Sequence, residues 1–358
     1  MAKITFTNIG HTYDKNPDQS TWALKPISMV WESGRSYALV GPSGCGKTTI
    51  LNIISGIVNP FQGQILFDDV DVTKVPTAKR NVALVFQFPT IYKSMTVKEN
   101  LAFPLVCRGW KQEAIEARVG SVAEQIGISH KLDRSASKLG ADEKQLISLG
   151  RGLVRDDVTA LLMDEPLTVI DPQLKFELRK KIKQIIEGKD ITVVYVTHDQ
   201  YEAMTFADEL LVMDLGQLVQ RGTPEELFEN PVSNYVGNFI GSPAMNFIKA
   251  EVSNGVAQIG QYKIAASTNL QGVANQQIHL GIRPEYVELY SGSGENVVSA
   301  ELVGVDDLGS TRILNCRFEG QFIKAKIPRS VTPPALGTVG LRLPKAKVIG
   351  FKGGLQIR

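Results

Sequence analysis

Along the first half of the chain, short apolar runs alternate with amphipathic stretches, the rhythm of an α/β layered domain. Residues 37–40 (Tyr37, Ala38, Leu39, Val40) form a short apolar run that enters a glycine-rich turn. Residues 48–57 follow, with Ile50, Leu51, Ile53 and Ile54 on the inner side of a predicted helix. The runs at 159–163 and 191–196 are polar on neither face, which predicts parallel strands covered on both sides. Between the run at 37–40 and the run at 159–163, residues 90–155 are rich in helix formers, above all from Lys111 to Glu124, and predict an inserted helical lobe. The texture changes near Pro231. From Asn246 onward, short strands are predicted at 278–283, 297–303, 312–318, 321–327 and 346–351, with glycine-rich punctuation such as 291–294. The expected organisation is an α/β domain over 1–235, with the helical subdomain at about 90–155, and a small all-β barrel or sandwich over 236–358.

Composition narrows the class. A chain of 358 residues fits two domains, and 43% hydrophobic with 21% charged residues excludes a disordered or fibrous chain. The balance of 39 basic against 37 acidic residues leaves +2, too even for an electrostatic nucleic-acid binder. Cys45, Cys107 and Cys316 are odd in number and widely spaced, which argues against a disulfide framework or zinc site and for a reducing compartment. The opening residues lack a signal-peptide core, and no run approaches about eighteen apolar residues. A soluble, cytoplasmic chain is expected.

The strongest local signal is Gly41, Pro42, Ser43, Gly44, Cys45, Gly46, Lys47 and Thr48, which fits G-x-x-x-x-G-K-[ST]. Phosphates need backbone N–H groups converging on one concave surface, and glycines clear that surface of side chains, while the following helix adds positive potential. Lys47 can reach the β- and γ-phosphates, and the Thr48 hydroxyl can ligate Mg²⁺. Thr49 joins the same nucleotide-binding set. A chance glycine loop is the alternative, and a strand before it and a helix after it oppose that. A second signal is an apolar strand that ends in Asp164 and Glu165. Asp164 is placed to hold Mg²⁺ and Glu165 to act as general base on a water attacking the γ-phosphate. Two solvated acids at a loop start would be the bland reading without the phosphate loop beside them.

Together these residues resemble the ATPase subunits of ATP-binding cassette (ABC) transporters, over nearly the whole chain and in the family's order of motifs. The resemblance implies a P-loop NTPase core of RecA type with an inserted helical subdomain, ATP and Mg²⁺ as ligands, and the following roles. Tyr13 matches the aromatic position that stacks on adenine. Gln87 matches the glutamine that reaches Mg²⁺ and senses the transmembrane subunits, so the expected metal set is Thr48, Gln87 and Asp164. Residues 168–171 stand where the family has its D-loop, and His198 matches the switch histidine at the γ-phosphate; with Glu165 and Lys47 it completes the expected catalytic set. Residues 241–246 and 281–285 resemble the OB-like accessory domain of carbohydrate-type importers, which helps those subunits dimerise or regulates them. The stretch 138–155 is most similar to ATPases of glycerol-type importers, where paired, unlike ATPases occur.

One motif departs from the family. Where the signature Leu-Ser-Gly-Gly-Gln is expected, the chain reads Leu139, Gly140, Ala141, Asp142, Glu143. In the family this segment lays a serine hydroxyl and backbone N–H groups on the partner subunit's γ-phosphate. Gly140 has no hydroxyl, and Asp142 and Glu143 would bring negative charge toward a polyanion. Two unit charges about 4 Å apart interact by about 4 kcal/mol at an effective dielectric near 20, comparable with the roughly 3–4 kcal/mol of one oxyanion donor. The expectation is a heterodimer with a second ABC ATPase that supplies an intact signature. Two permease subunits and, indirectly, an external solute-binding protein are the further expected partners, at the cytoplasmic face of the membrane, with no nucleic acid. The cargo expected from the resemblance is glycerol or a related polyol or carbohydrate, with a glycerol phosphoester as the neighbouring choice. A regulatory ATP-binding subunit with little hydrolysis is the alternative, and a cassette protein acting on nucleic acid fits poorly. Membrane contact is expected where residues 87–95 lead into the helical lobe, with at least one of Phe86 and Phe88 packed in the core.

Overall fold

The structure, a computed structural model, describes residues 3–15, 21–187, 191–273 and 275–358. It divides into two compact units, Met1–Pro224 and Glu225–Arg358. The break falls ahead of the 235/236 boundary read from texture, because the segment after Pro224 is bonded into the second unit, as described below.

In the first unit a six-stranded sheet runs in the order Gln217–Gly222, Glu209–Asp214, Ser36–Val40, Thr192–Val196, Ala160–Asp164 and Val82–Val85. The first two strands pair antiparallel; the other pairings are parallel. Every residue of Ser36–Val40 and Thr192–Val196 is buried, which is why these strands read as unbroken apolar runs rather than alternations. A second sheet, order Trp22–Trp31, Ile4–Thr12, Gln62–Phe67 and Val70–Asp71, is antiparallel. The sequence reading did not single it out. Phe6 meets Trp31 edge-on at 4.9 Å, and Trp31 stacks on Tyr37 at 5.1 Å, so one aromatic column joins the two sheets.

The helix after the phosphate loop, Lys47–Ser55, buries Ile50, Leu51, Ile53 and Ile54 as expected, and it stops at Gly56 in the left-handed region. The buried Arg80 guanidinium donates to the carbonyls of Ile53 (2.7 Å), Ile54 (3.1 Å), Thr73 (2.9 Å) and Val75 (2.7 Å). A cation at the C-terminal end of a helix satisfies carbonyls that have no intrahelical donor. The helical lobe comprises Val97–Val106, Gln112–Gln125 and Ala141–Leu153. Its first helix opens on a reciprocal cap, with Thr96 Oγ1 accepting the Glu99 N–H and Glu99 Oε2 accepting the Thr96 N–H. Gln112–Gln125 buries Ile115, Val119, Val122 and Ala123, one face at helical spacing.

The second unit is two antiparallel sheets. One runs Tyr262–Ile264, Val256–Ile259, Asn246–Ser253, Gln277–Ile282, Ile349–Lys352 and Leu355–Gln356; the other runs Glu288–Leu289, Gly337–Arg342, Val297–Asp307, Thr311–Phe318 and Gln321–Pro328. Their inner faces share a single core that includes Ile248, Leu280, Leu302, Leu314 and Phe318. Burial alternates along Asn246–Ser253, the signature of strands with one wet face. The predicted strand at 346–351 begins later than expected: Lys345–Lys347 form a 3-10 turn after Pro344, and the strand is Ile349–Lys352.

Arg283, 1% exposed, is the polar anchor of this unit. It donates to the carbonyls of Phe228 (3.0 Å), Gly237 (2.8 Å) and Ile240, and lies over the Phe228 ring at 4.3 Å. These bonds hold the short helices Pro224–Glu229 and Asn234–Phe239 to the β-sheet unit. Burial lowers the Arg283 pKa to about 10, so the guanidinium remains charged at neutral pH. Replacing Arg283 by methionine is expected to destabilise this unit by about 3 kcal/mol or more, since three carbonyls each lose a charged donor at roughly 1–3 kcal/mol. Calorimetry of the full chain checks this. All 3 tryptophans, Trp22, Trp31 and Trp110, lie in the first unit, so tryptophan fluorescence should report little change while the second unit's calorimetric transition moves down. An unmoved transition would refute it.

Candidate active site

The phosphate loop, residues 41–46, joins the central strand Ser36–Val40 to the helix Lys47–Ser55. Two glycines are required by geometry. A Cβ on Gly41 would meet the Met213 carbonyl oxygen and the Cys45 sulfur, and Gly46 has φ +100 with the Ala23 carbonyl 2.5 Å from where its Cβ would stand. The buried Lys47 ammonium donates to the Gly41 (2.7 Å) and Pro42 (2.8 Å) carbonyls, which holds the cation inside the loop. Burial pushes the neighbouring Cys45 thiol up, with Lys47 opposing the shift, so the sulfur is a protonated, packed group.

Thr48 Oγ1 donates to Asp164 Oδ2 at 2.9 Å. Burial raises the Asp164 pKa, and the nearby Glu165 adds to the rise, while the Thr48 hydrogen bond and Lys47 oppose it. A cation beside the pair would offset that cost. The donors are a hydroxyl and a carboxylate, the hard oxygen ligands that suit Mg²⁺. Among the described residues no three His, Cys, Asp or Glu side chains cluster as a cage. A magnesium ion here would therefore draw its other ligands from phosphate oxygens and water.

Glu165 sits in the left-handed region at φ +47, with its N–H on the Val196 carbonyl at 2.9 Å. That strained turn at a strand end aims the carboxylate across the tops of neighbouring strands. Glu165 Oε2 receives three groups: Gln87 Nε2 at 3.2 Å, Thr168 Oγ1 at 3.2 Å and His198 Nδ1 at 3.1 Å. Two distant segments, at residues 87 and 198, and the local turn at 168 thus converge on one oxygen. Tyr13 is 64% exposed; its hydroxyl lies 3.4 Å from Thr49 Oγ1, and the His11 ring meets it edge-on at 4.5 Å.

The structure therefore brings Tyr13, Ser43, Gly44, Gly46, Lys47, Thr48, Thr49, Gln87, Glu165 and His198 around one cavity of about 630 Å³. Asp164 is joined to it through Thr48. The Gln87 amide donates to Glu165, whereas Thr48 and Asp164 bond each other, so the three expected metal ligands form a pair and a neighbour. One wall residue was missed: Ala23 lines the cavity from the antiparallel sheet that the hydrophobic pattern left unread, while Thr168, at the start of the expected D-loop segment, reaches back three residues to Glu165.

Another missed residue is Gln145, 0% exposed. Its amide donates to the Phe86 carbonyl (3.0 Å) and the Pro166 carbonyl (2.8 Å), the backbone neighbours of Gln87 and Glu165. One side chain of the helix Ala141–Leu153 thereby ties the helical lobe to both members of the Gln87–Glu165 pair.

At the altered signature, Glu143 Oε2 accepts the Gly140 N–H at 2.9 Å, and Lys131 pairs with the same carboxylate. Glu143 is thus turned back onto its own chain, neutralised, rather than held out as charge. Asp142 differs: its Oδ1 lies 2.7 Å from where a Cβ on Gly140 would stand, so its carboxylate fills the space a serine side chain would need. The expectation for the phenylalanines is also corrected. Phe88 is 71% exposed and Phe86 39%. Phe86 lines a groove of about 680 Å³ with Pro89, Tyr92, Phe103, Cys107 and Arg151, so neither ring is sunk in the core.

Comparison with known proteins gives two family matches: one described as ABC transporter at residues 24–168, the other as MalK OB fold domain at residues 241–287. The chain is 38% identical over 318 residues to the trehalose/maltose import ATP-binding protein MalK of Thermococcus litoralis, covering 83% of this chain and 85% of that protein. It is 34% identical over 342 residues to the sn-glycerol-3-phosphate import ATP-binding protein UgpC of Escherichia coli K12, covering 95% and 96%. Among solved structures, cbiO1 of Clostridium perfringens, part of the ABC transporter complex cbiONQ, aligns with TM-score 0.57 and 27% identity, covering 63% of this chain and 90% of that one.

Proposed function

Since this chain belongs to the ABC transporter family, as an ATP-binding import subunit and an ATPase, we propose that it hydrolyses ATP at the Lys47–Thr48–Asp164–Glu165–His198 site to drive uptake of a small polyol, sugar or glycerol phosphoester. The observation that carries the reading is Glu165 Oε2, held by Gln87, Thr168 and His198 beside the phosphate loop. Tyr13 receives the adenine, and the backbone N–H groups of residues 43–48 take the phosphates. Lys47 turns from its loop carbonyls to the β- and γ-oxygens. Thr48 and Asp164 would hold magnesium, with Gln87 alongside, and the ion supplies neutralisation of phosphate charge when bound. Glu165 orients and deprotonates the attacking water, while His198 and Lys47 stabilise charge developing on the γ-phosphate.

The relatives named for trehalose/maltose and for sn-glycerol-3-phosphate import support the cargo class. The exposed Phe86 and Phe88 beside the groove at Tyr92 and Phe103 support docking of one permease subunit there, the second of two permease subunits docking on the paired ATPase, which would hold the chain at the cytoplasmic face. An external solute-binding protein then delivers the cargo. Gly140 and Asp142 support pairing with a second, unlike ATPase whose signature covers this chain's site. The same two residues favour a second reading, an ATP-binding subunit that clamps nucleotide and scarcely hydrolyses; single-turnover hydrolysis with the partner present separates the two. The reading as a whole predicts that the chain binds Mg-ATP and co-purifies with permease subunits. Failure to bind Mg-ATP alongside its companion subunits would overturn it.

A further inference from the structure

The residue just before His198 leads to a buried charge. Thr197 Oγ1 donates to Glu202 Oε2 at 2.9 Å, and Tyr195 Oη donates to the same oxygen at 3.0 Å. Glu202 is 5% exposed, on the short helix Gln200–Phe206, whose first turn is capped by Asp199. Its other oxygen, Oε1, lies 3.9 Å from Lys175 Nζ, on the helix Pro172–Ile186 that begins just after Asp171. A carboxylate this deep persists only where donors and a cation compensate its lost hydration, and Tyr195, Thr197 and Lys175 supply that.

Contacts and the chain itself link these residues on two sides. From Glu165 Oε2 one arm runs through His198 and the adjoining Thr197 to Glu202; the other runs through Thr168 and along the backbone to Asp171, whose carbonyl accepts the Lys175 N–H at 2.9 Å, and Lys175 Nζ lies 3.9 Å from Glu202. We propose that Glu202 is a positioning residue that fixes His198 relative to Glu165 by tying the Thr197–His198 segment to the helix that follows residues 168–171. Glu202 lies outside the lining of the phosphate-loop cavity; its effect passes through Thr197 and His198. The inference rests on the hydrolytic reading of Glu165 and His198 and adds the element that aligns them.

The test uses the full chain in its assembled transporter. Glu202→Gln, close in shape but uncharged, is expected to lower kcat about tenfold with KM for ATP within about twofold, and Glu202→Ala about a hundredfold, the scale of a displaced catalytic contact. In a His198→Ala background, Glu202→Gln should cost less than about twofold further, because the group it positions is gone. Nitrogen NMR of the 4 histidines supplies a readout that a merely structural role would leave alone: the His198 imidazole signals should shift in Glu202→Gln while those of His11, His130 and His279 stay in place. An equal loss in both backgrounds, native turnover in Glu202→Gln, or unmoved His198 signals would each overturn the proposal. Native turnover in Glu165→Gln would instead overturn the hydrolytic reading, so the two failures are distinguishable.

Discussion

Glu165→Gln is expected to keep Mg-ATP binding within about twofold and to lower turnover by about a hundredfold or more, the range lost with a general base. Glutamine matches glutamate in size, and its carbonyl oxygen can take the place of the Oε2 that receives Gln87, Thr168 and His198. The fold around the site should therefore persist, left-handed turn included, because position 165 pays the same backbone cost with either side chain. What disappears is the carboxylate's affinity for a proton. Binding of a fluorescent ATP analogue, followed by phosphate release in a single turnover, measures the two halves separately. Hydrolysis at the native rate would remove Glu165 from the role of base.

The second large effect concerns the altered signature. The chain by itself is expected to turn over slowly, and a second ATPase with an intact signature should raise hydrolysis by about 10²–10³, the range measured for restoring one oxyanion donor. Reversion in the lone chain should be conditional. Serine at position 140 collides with Asp142 Oδ1, 2.7 Å from where the new Cβ stands, and swings that carboxylate out of its place. Gly140→Ser alone therefore gains little, whereas Gly140→Ser combined with Asp142→Gly restores the hydroxyl and removes the charge together. Glu143 needs no change, since Lys131 and the Gly140 N–H already engage its carboxylate. Full turnover by the lone chain, indifferent to both substitutions, would sink the heterodimer.

The phosphate loop, the acid pair after an apolar strand and the alternating β region were legible because each is a local rule. A loop that cradles phosphate needs glycine within a few residues, a doubly covered strand needs an unbroken apolar run, and a strand with one wet face must alternate. The antiparallel sheet that carries Ile4–Thr12 and Trp22–Trp31 was not legible, because bulges break its register between Phe6 and Thr12 and blur the period of two. Phe86 and Phe88 misled for a different reason: aromatic composition favours burial on average, and only the path of the chain decides that these two face outward.

Sequence by itself determined which chemical groups this protein carries and in what order: the Lys47 cation, the Thr48 hydroxyl, the Asp164 and Glu165 carboxylates, His198, and a signature without its serine. Tertiary structure alone decided how they are coupled. Glu165 receives donors from residues 87, 168 and 198, Gln145 bridges the carbonyls beside Gln87 and Glu165, and Glu202 ties residue 197 to Lys175. Hydrogen bonds act over about 3 Å in space and leave no fixed spacing along the chain, so contacts between distant segments become visible only once the sheet sets its strands side by side.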